Sequence, residues 1–159
     1  MEKYPEIESG ILVGQMKRIY FDVADVELPD FFSESRISDW LNFIAEIYGK
    51  NIGELSYRFC NDSYMLEANR FYLNHDYYTD ILTFDNCMDN VLYGDILISL
   101  DTVRSNAKKL NQDFQDEFFR VISHGILHLI GFEDKSPREE ETMHNAEDRC
   151  LELLKSLNC

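Results

Sequence analysis

Two histidines, His124 and His128, stand four residues apart in the segment HGILHLIGFED, residues 124–134. On a helix that spacing puts both imidazoles on one face, one turn apart, where they can grip a single metal ion. Gly131 would stop such a helix and let the chain reverse, carrying Phe132, Glu133 and Asp134 back toward the rings. Two ring nitrogens and one carboxylate oxygen would leave a tetrahedral zinc with an open corner, which marks a catalytic rather than a structural site. Zinc brings bound water to a pKa of roughly 7, the chemistry of a hydrolase at neutral pH. Glu133, Asp134 and His144 are the candidates for third ligand. Glu133 and Asp134 are adjacent, so one of them would face the ion, and local geometry leaves the two tied. His144 reads more readily as a half-exposed surface residue. The plain alternative for the pair is two core histidines with ordinary hydrogen bonds, but two on one face of an apolar helix call for a shared reason. A ferrous oxygenase could use the same donors. A cysteine-type zinc site is excluded locally, since no cysteine lies near.

Periodicity supplies the elements that would position these residues. Met16 opens MKRIYFDV, a first strand. Ser33 can cap a helix with apolar positions at Ile37, Trp40, Leu41, Ile44, Ala45 and Tyr48, stopped at Gly49. Leu55, Tyr57 and Phe59 alternate with polar residues, as in a half-buried strand. Asp62 or Ser63 can cap a helix through Leu73. ILTFD (81–85) and VLYGDILIS (91–99) read as two further strands. Asp101 can cap a short helix to about Leu110. Asp113 can cap a longer one to Ile130 that is apolar on nearly all sides after Phe118, and a helix of that kind is buried. Ser136, Pro137 and Glu139 form a capping box for a last helix to about Leu157. The expected fold is α+β: a small mixed sheet of about four strands packed with helices. Residues 1–15 read as a loosely attached extension and 16–159 as one domain.

With 159 residues, 45% hydrophobic and 13% aromatic, the chain can build a core and is not a disordered polymer. Its formal net charge of −15, from 30 acidic and 15 basic residues, argues against broad phosphate binding. A local basic groove could still hold nucleic acid. No apolar run approaches the ~20 residues that span a bilayer, and the first residues lack the pattern of an export signal. Cys60, Cys87, Cys150 and Cys159 form no CxxC pair. Reduced thiols and a cytoplasmic location without membrane contact are therefore expected, with Cys60 and Cys150 in the core.

The segment HGILHLIG resembles the hallmark of the YbeY family, His-Gly-x-Leu-His-Leu-x-Gly, at every fixed position. Residues 79–84 (TDILTF) resemble the family's Thr-Asp-Val-Leu-Ser-Phe, and residues 94–99 (GDILIS) resemble its Gly-Asp-Ile-x-Ile-Ser strand. The three occur in family order, and the resemblance runs from about Met16 to the C-terminus. It implies a zinc-binding α+β fold of zincin-like character with one zinc ion. It implies a single-strand-specific endoribonuclease that matures the 3′ end of small-subunit ribosomal RNA and takes part in ribosome quality control. Ribosomal RNA and the small subunit would be its partners.

Three positions depart from the family pattern. Asp134 stands where the family places a third histidine, which breaks the tie with Glu133. An anionic ligand makes a weaker Lewis acid, so a more alkaline optimum is expected. Leu73 stands where the family carries an arginine, and Arg70, one helical turn earlier, is the candidate to take over phosphate contact. Asp85 replaces a proline, which implies a local change in one turn. Glu133 is the candidate general base, Asp80 a brace beside the cleft. Arg104, Lys108, Lys109 and Arg120 are candidates for an RNA-facing edge, although a solvated helix face explains them equally well. Two other functions compete. A metal-dependent protease or amidase would want a glutamate after the first histidine, where Gly125 stands. A non-catalytic zinc-binding assembly factor would need no base at all.

Overall fold

Alternating burial along two strands and one apolar helix organises the chain. A computed structural model describes residues 18–73 and 79–157. The expected extension at 1–15, Met16 and Cys159 lie outside the described residues. In chain order the elements are β1 (Ile19–Ala24), α1 (Glu34–Ile47), β2 (Asn51–Cys60), α2 (Asp62–Leu73), β3 (Ile81–Asp85), β4 (Val91–Ser99), α3 (Leu100–Lys109), α4 (Phe114–Ile130) and α5 (Pro137–Ser156). The four strands form one sheet in the order β1-β2-β4-β3. β1 runs parallel to β2, and β2 parallel to β4. β3 returns antiparallel on the outer side of β4. The α+β class and the mixed four-stranded sheet agree with the sequence reading.

Successive side chains of a strand face opposite sides of the sheet. Leu55, Tyr57 and Phe59 of β2 and Ile96 and Ile98 of β4 face the main core, which α1, α4 and α5 close with Trp40, Phe118, Ile122, Ile126 and Met143. Cys60 and Leu97 face the other side, where α2 covers them with Met65 and Ala68, joined by Leu82 of β3. α4 lies deepest. Phe118, Phe119, Val121, Ile122, Ile126, Leu127 and Leu129 are all buried. Two polar contacts fix the layers in register: the Tyr57 hydroxyl donates to the Ile122 carbonyl at 3.0 Å, and Trp40 Nε1 to the Cys150 carbonyl at 2.8 Å.

Helix starts follow the expected caps at Ser33 and at the capping box of Ser136 with Glu139. Two caps differ. α2 is capped by Asn61, whose Oδ1 accepts from Tyr64 N at 2.9 Å, rather than by Asp62 or Ser63. The Asp62 carboxylate instead accepts from the Ser99 and Thr102 hydroxyls. α3 is capped by Ser99, not Asp101, because the Asp101 carboxylate reaches across to Asp62 N at 2.9 Å. Both acids serve the α2–α3 junction, which no local spacing reveals. At the β3–β4 turn, Asp85 accepts from Cys87 N at 2.9 Å, a side-chain turn in the place of the expected proline.

Tyr57→Phe removes a buried hydrogen bond between sheet and α4 without changing shape. It is expected to lower unfolding stability by about 1 kcal/mol, read as a reduced urea midpoint with unchanged slope.

Candidate metal and catalytic site

α4 ends where it does because Gly131, at φ 131°, takes a conformation that side chains resist. Gly131 N and Phe132 N both donate back to the Leu127 carbonyl, at 3.1 and 3.0 Å, and the chain reverses. The Phe132 ring then packs edge-on against Tyr48 at 5.4 Å, which pins the return. Two residues later the Asp134 carboxylate arrives beside the helix, with Oδ2 3.3 Å from His124 Nε2. Together with Thr79, Asp80 and the inner side of β3, these residues wall a cleft of about 400 Å³. Its far side is Glu117, Arg120, Val121 and His128 of α4 and Glu147 of α5.

The helix is buried as its apolar pattern predicts, but His124 and His128 are only half-buried, because both rings form the cleft wall. Gly125 faces the sheet. A Cβ there would lie 3.0 Å from Ile96 Cδ1 and 3.3 Å from Ile81 Cδ1, so a glutamate at this position would be pressed into two strands rather than aimed at substrate. His124 Nδ1 lies 2.7 Å from Glu147 Oε2. Arg120 in turn reaches Glu147 Oε1 at 3.0 Å and Asp148 Oδ1 at 2.6 Å.

Burial pushes the Asp80 carboxyl above its ordinary range, partly offset by the nearby His124. Burial does the same to Glu117, against the pull of Arg120. For His124 burial acts downward, but the hydrogen bond and charge of Glu147, with Asp134 and Asp80 adding, raise the imidazole overall. Among the described residues, four carboxyls (Asp80, Glu117, Asp134 and Glu147) face a cleft that also holds the two imidazoles and Arg120, whose guanidinium is already engaged by two carboxylates.

The donors fit a divalent ion, although among the described residues no three His, Cys, Asp or Glu side chains are already gathered as a metal group. The 3.3 Å between His124 Nε2 and Asp134 Oδ2 matches the separation, about 3.4 Å, of two corners of a tetrahedron with ligand bonds of ~2.1 Å. His128, one turn along, has its Nδ1 buried with no hydrogen-bond partner among the described residues.

Other expected site residues lie elsewhere. Glu133 is exposed and borders a separate hollow with Ile130, Phe132 and Arg138. Arg70 is exposed on α2, which covers the sheet face opposite α4. Arg104 stacks over Phe114 at 4.1 Å. Arg104 and Lys108 each lie about 160° around α3 from Asn106, whose amide approaches Asp80 at 3.5 Å. Neither lines the cleft. His144 is 62% exposed and lies 3.3 Å from Arg120. Glu117 and Glu147 were not anticipated. A signal existed for Glu147: it occupies the same stripe as Met143, Cys150 and Leu154, where a charge is out of place.

Set against known proteins, residues 19–155 match the family model of endoribonuclease YbeY. The chain belongs to the YbeY family. Endoribonuclease YbeY of Porphyromonas gingivalis is 49% identical over 140 residues, covering 88% of this chain and 92% of that one. The Phocaeicola vulgatus YbeY is 48% identical over 136 residues, covering 86% and 98%. The Bacteroides thetaiotaomicron YbeY is 47% identical over 135 residues, covering 85% and 98%. The solution structure of a Thermotoga maritima protein matches with a TM-score of 0.60 at 25% identity, over 85% of this chain and 88% of that one. The YbeY match runs from the start of β1 into the last turn of α5, cleft walls included. No described helix is long and apolar enough to cross a membrane.

Because burial favours the protonated Asp80, ionising it costs the folded state. That cost is absent below the ordinary carboxylate value of 3.8 and grows until the pH passes the raised folded value. In metal-free protein, Asp80→Asn is therefore expected to melt higher than the parent near neutral pH. The gap in melting temperature should close on acidification.

Proposed function

We propose that this chain is a zinc-dependent, single-strand-specific endoribonuclease that matures the 3′ end of small-subunit ribosomal RNA and serves ribosome quality control. Family membership supports cleavage of RNA. The observation that carries the metal is the pairing of His124 Nε2 and Asp134 Oδ2 at ligand spacing, on a cleft that also holds His128. His124, His128 and Asp134 would hold one zinc ion in a zincin-like use of a helical histidine pair. When bound, the ion supplies Lewis acidity and positive charge at the scissile phosphodiester.

Electrostatics favours the same reading. RNA is a polyanion, and a cleft walled by four carboxyls repels it unless a cation intervenes. Asp80 and Glu117 are the wall residues suited to hold a proton, since burial favours the neutral form of each. Glu133 faces another hollow and is not proposed as the base. Arg70, Arg104 and Lys108 do not line the cleft and would meet RNA outside its rim. A peptidase would need a base after the first histidine, and Gly125 is packed against Ile96 and Ile81 instead.

The test incubates the protein with single-stranded RNA and with casein, each with and without chelator. RNA cleavage that chelator abolishes and zinc restores is expected, with casein intact. His124→Ala should lower cleavage by more than about 100-fold, the upper end for loss of an outer-shell group. Casein cleavage, or RNA cleavage indifferent to both chelator and His124, would overturn the proposal. Asp134→His replaces an anionic donor with a neutral one, so its pH–rate profile should move to lower pH.

A further inference from the structure

We infer that Glu147, held in place by Arg120, is the positioning residue that sets the protonation form and aim of His124. An imidazole serves a metal only through a nitrogen that carries a lone pair rather than a proton. Which nitrogen that is depends on what the other one meets. In this protein His124 Nδ1 meets the Glu147 carboxylate at 2.7 Å, a distance that makes Nδ1 the donor. Nε2 is then left with its lone pair on the side where Asp134 waits.

Glu147 can do this because it is itself fixed. Its side chain is only 7% exposed, so a wandering rotamer is excluded. One oxygen takes His124 and the other takes Arg120 at 3.0 Å. Arg120 is anchored in turn by Asp148 at 2.6 Å. The chain of contacts runs from α5 to α4, back to α5 and again to α4, and it ends on the ring that faces the cleft. Glu147 pairs with Arg120 through a charge-assisted bond at 3.0 Å, which holds its second oxygen where it can orient the ring. Among the described residues, the other groups around this ring are Asp134 at Nε2, Asp80 across the cleft, and Arg120 and Glu117, one and two turns back along α4. None of them touches Nδ1 within hydrogen-bond reach. This explains why a charged residue occupies the stripe of α5 that otherwise packs into the core. It also gives Arg120 a task within the protein, bridging Glu147 and Asp148.

The inference uses the proposed metal-binding role of His124, and its test is separable from cleavage. Nitrogen-15 shifts of the imidazoles in the metal-free protein, at alkaline pH where the rings are neutral, report which nitrogen carries the proton. Zinc affinity by competition with a chromophoric chelator reports the consequence. Wild type should show His124 protonated at Nδ1. Glu147→Leu should lose that signature and weaken zinc binding about 10- to 100-fold. Glu147→Gln, whose carbonyl can still accept from Nδ1, should keep the signature and recover most of the affinity. If Glu147→Leu does not fold, Glu147→Gln and Arg120→Met are read instead, the latter with a smaller loss. A wild-type ring protonated at Nε2 would overturn the inference. So would a folded Glu147→Leu with unchanged zinc affinity. If the nitrogen shifts and affinities behave as stated but RNA is not cut, the function proposed above fails and the positioning role stands.

Discussion

Everything in this molecule is arranged around the double duty of α4. One side must fill the core beneath the sheet with Phe118, Ile122 and Ile126. The opposite side must hold two imidazoles at the edge of a cleft. A helix can meet both demands only if its rotation about its own axis is fixed. The Tyr57–Ile122 hydrogen bond, the close approach of Gly125 to Ile96 and Ile81, and the grip of Arg120 on α5 each fix that rotation from a different direction. If α4 turned by a fraction of one residue, the rings would slide under β3 or out into solvent.

Much of this was legible in the sequence, for physical reasons that can be named. The histidine pair, the stop at Gly131 and the capping box at Ser136 are local patterns, and local patterns survive any tertiary arrangement. The return of the chain after Gly131 follows from the same reasoning, but local geometry left Glu133 and Asp134 tied and only the family resemblance singled out Asp134. The strand order β1-β2-β4-β3 was not legible, since nothing in the periodicity of β3 says which edge it will take. The caps at Asn61 and Ser99 were misassigned because Asp62 and Asp101 have the right chemistry for a cap and are diverted to partners about 40 residues away. Arg120 looked like a surface cation because its two carboxylate partners lie 27 and 28 residues further along the chain. Its own helix gives no hint of them.

The acidity of the chain acquires a local meaning at the cleft. Carboxyls there outnumber basic groups, and burial makes the mismatch more costly. Such a field suits a small divalent cation and disfavours an anionic polymer. The two preferences are reconciled if the ion arrives first. The chain's overall charge of −15 therefore does not contradict an RNA substrate. In the proposed reading, phosphate recognition would fall to a bound ion rather than to side chains.

The reversal after α4 also sets a limit on length. Gly131 closes the helix, Phe132 is pinned against Tyr48, and Asp134 must reach Nε2 from there. The tether between anchor and carboxylate is thus a single intervening residue. A change of side chain at its end, imidazole for carboxylate, would leave this backbone path as it is. An insertion or deletion cannot be absorbed, because one residue of slack moves the terminal group by more than its own hydrogen-bond reach. The tolerance of this corner is to change of kind and not to change of number.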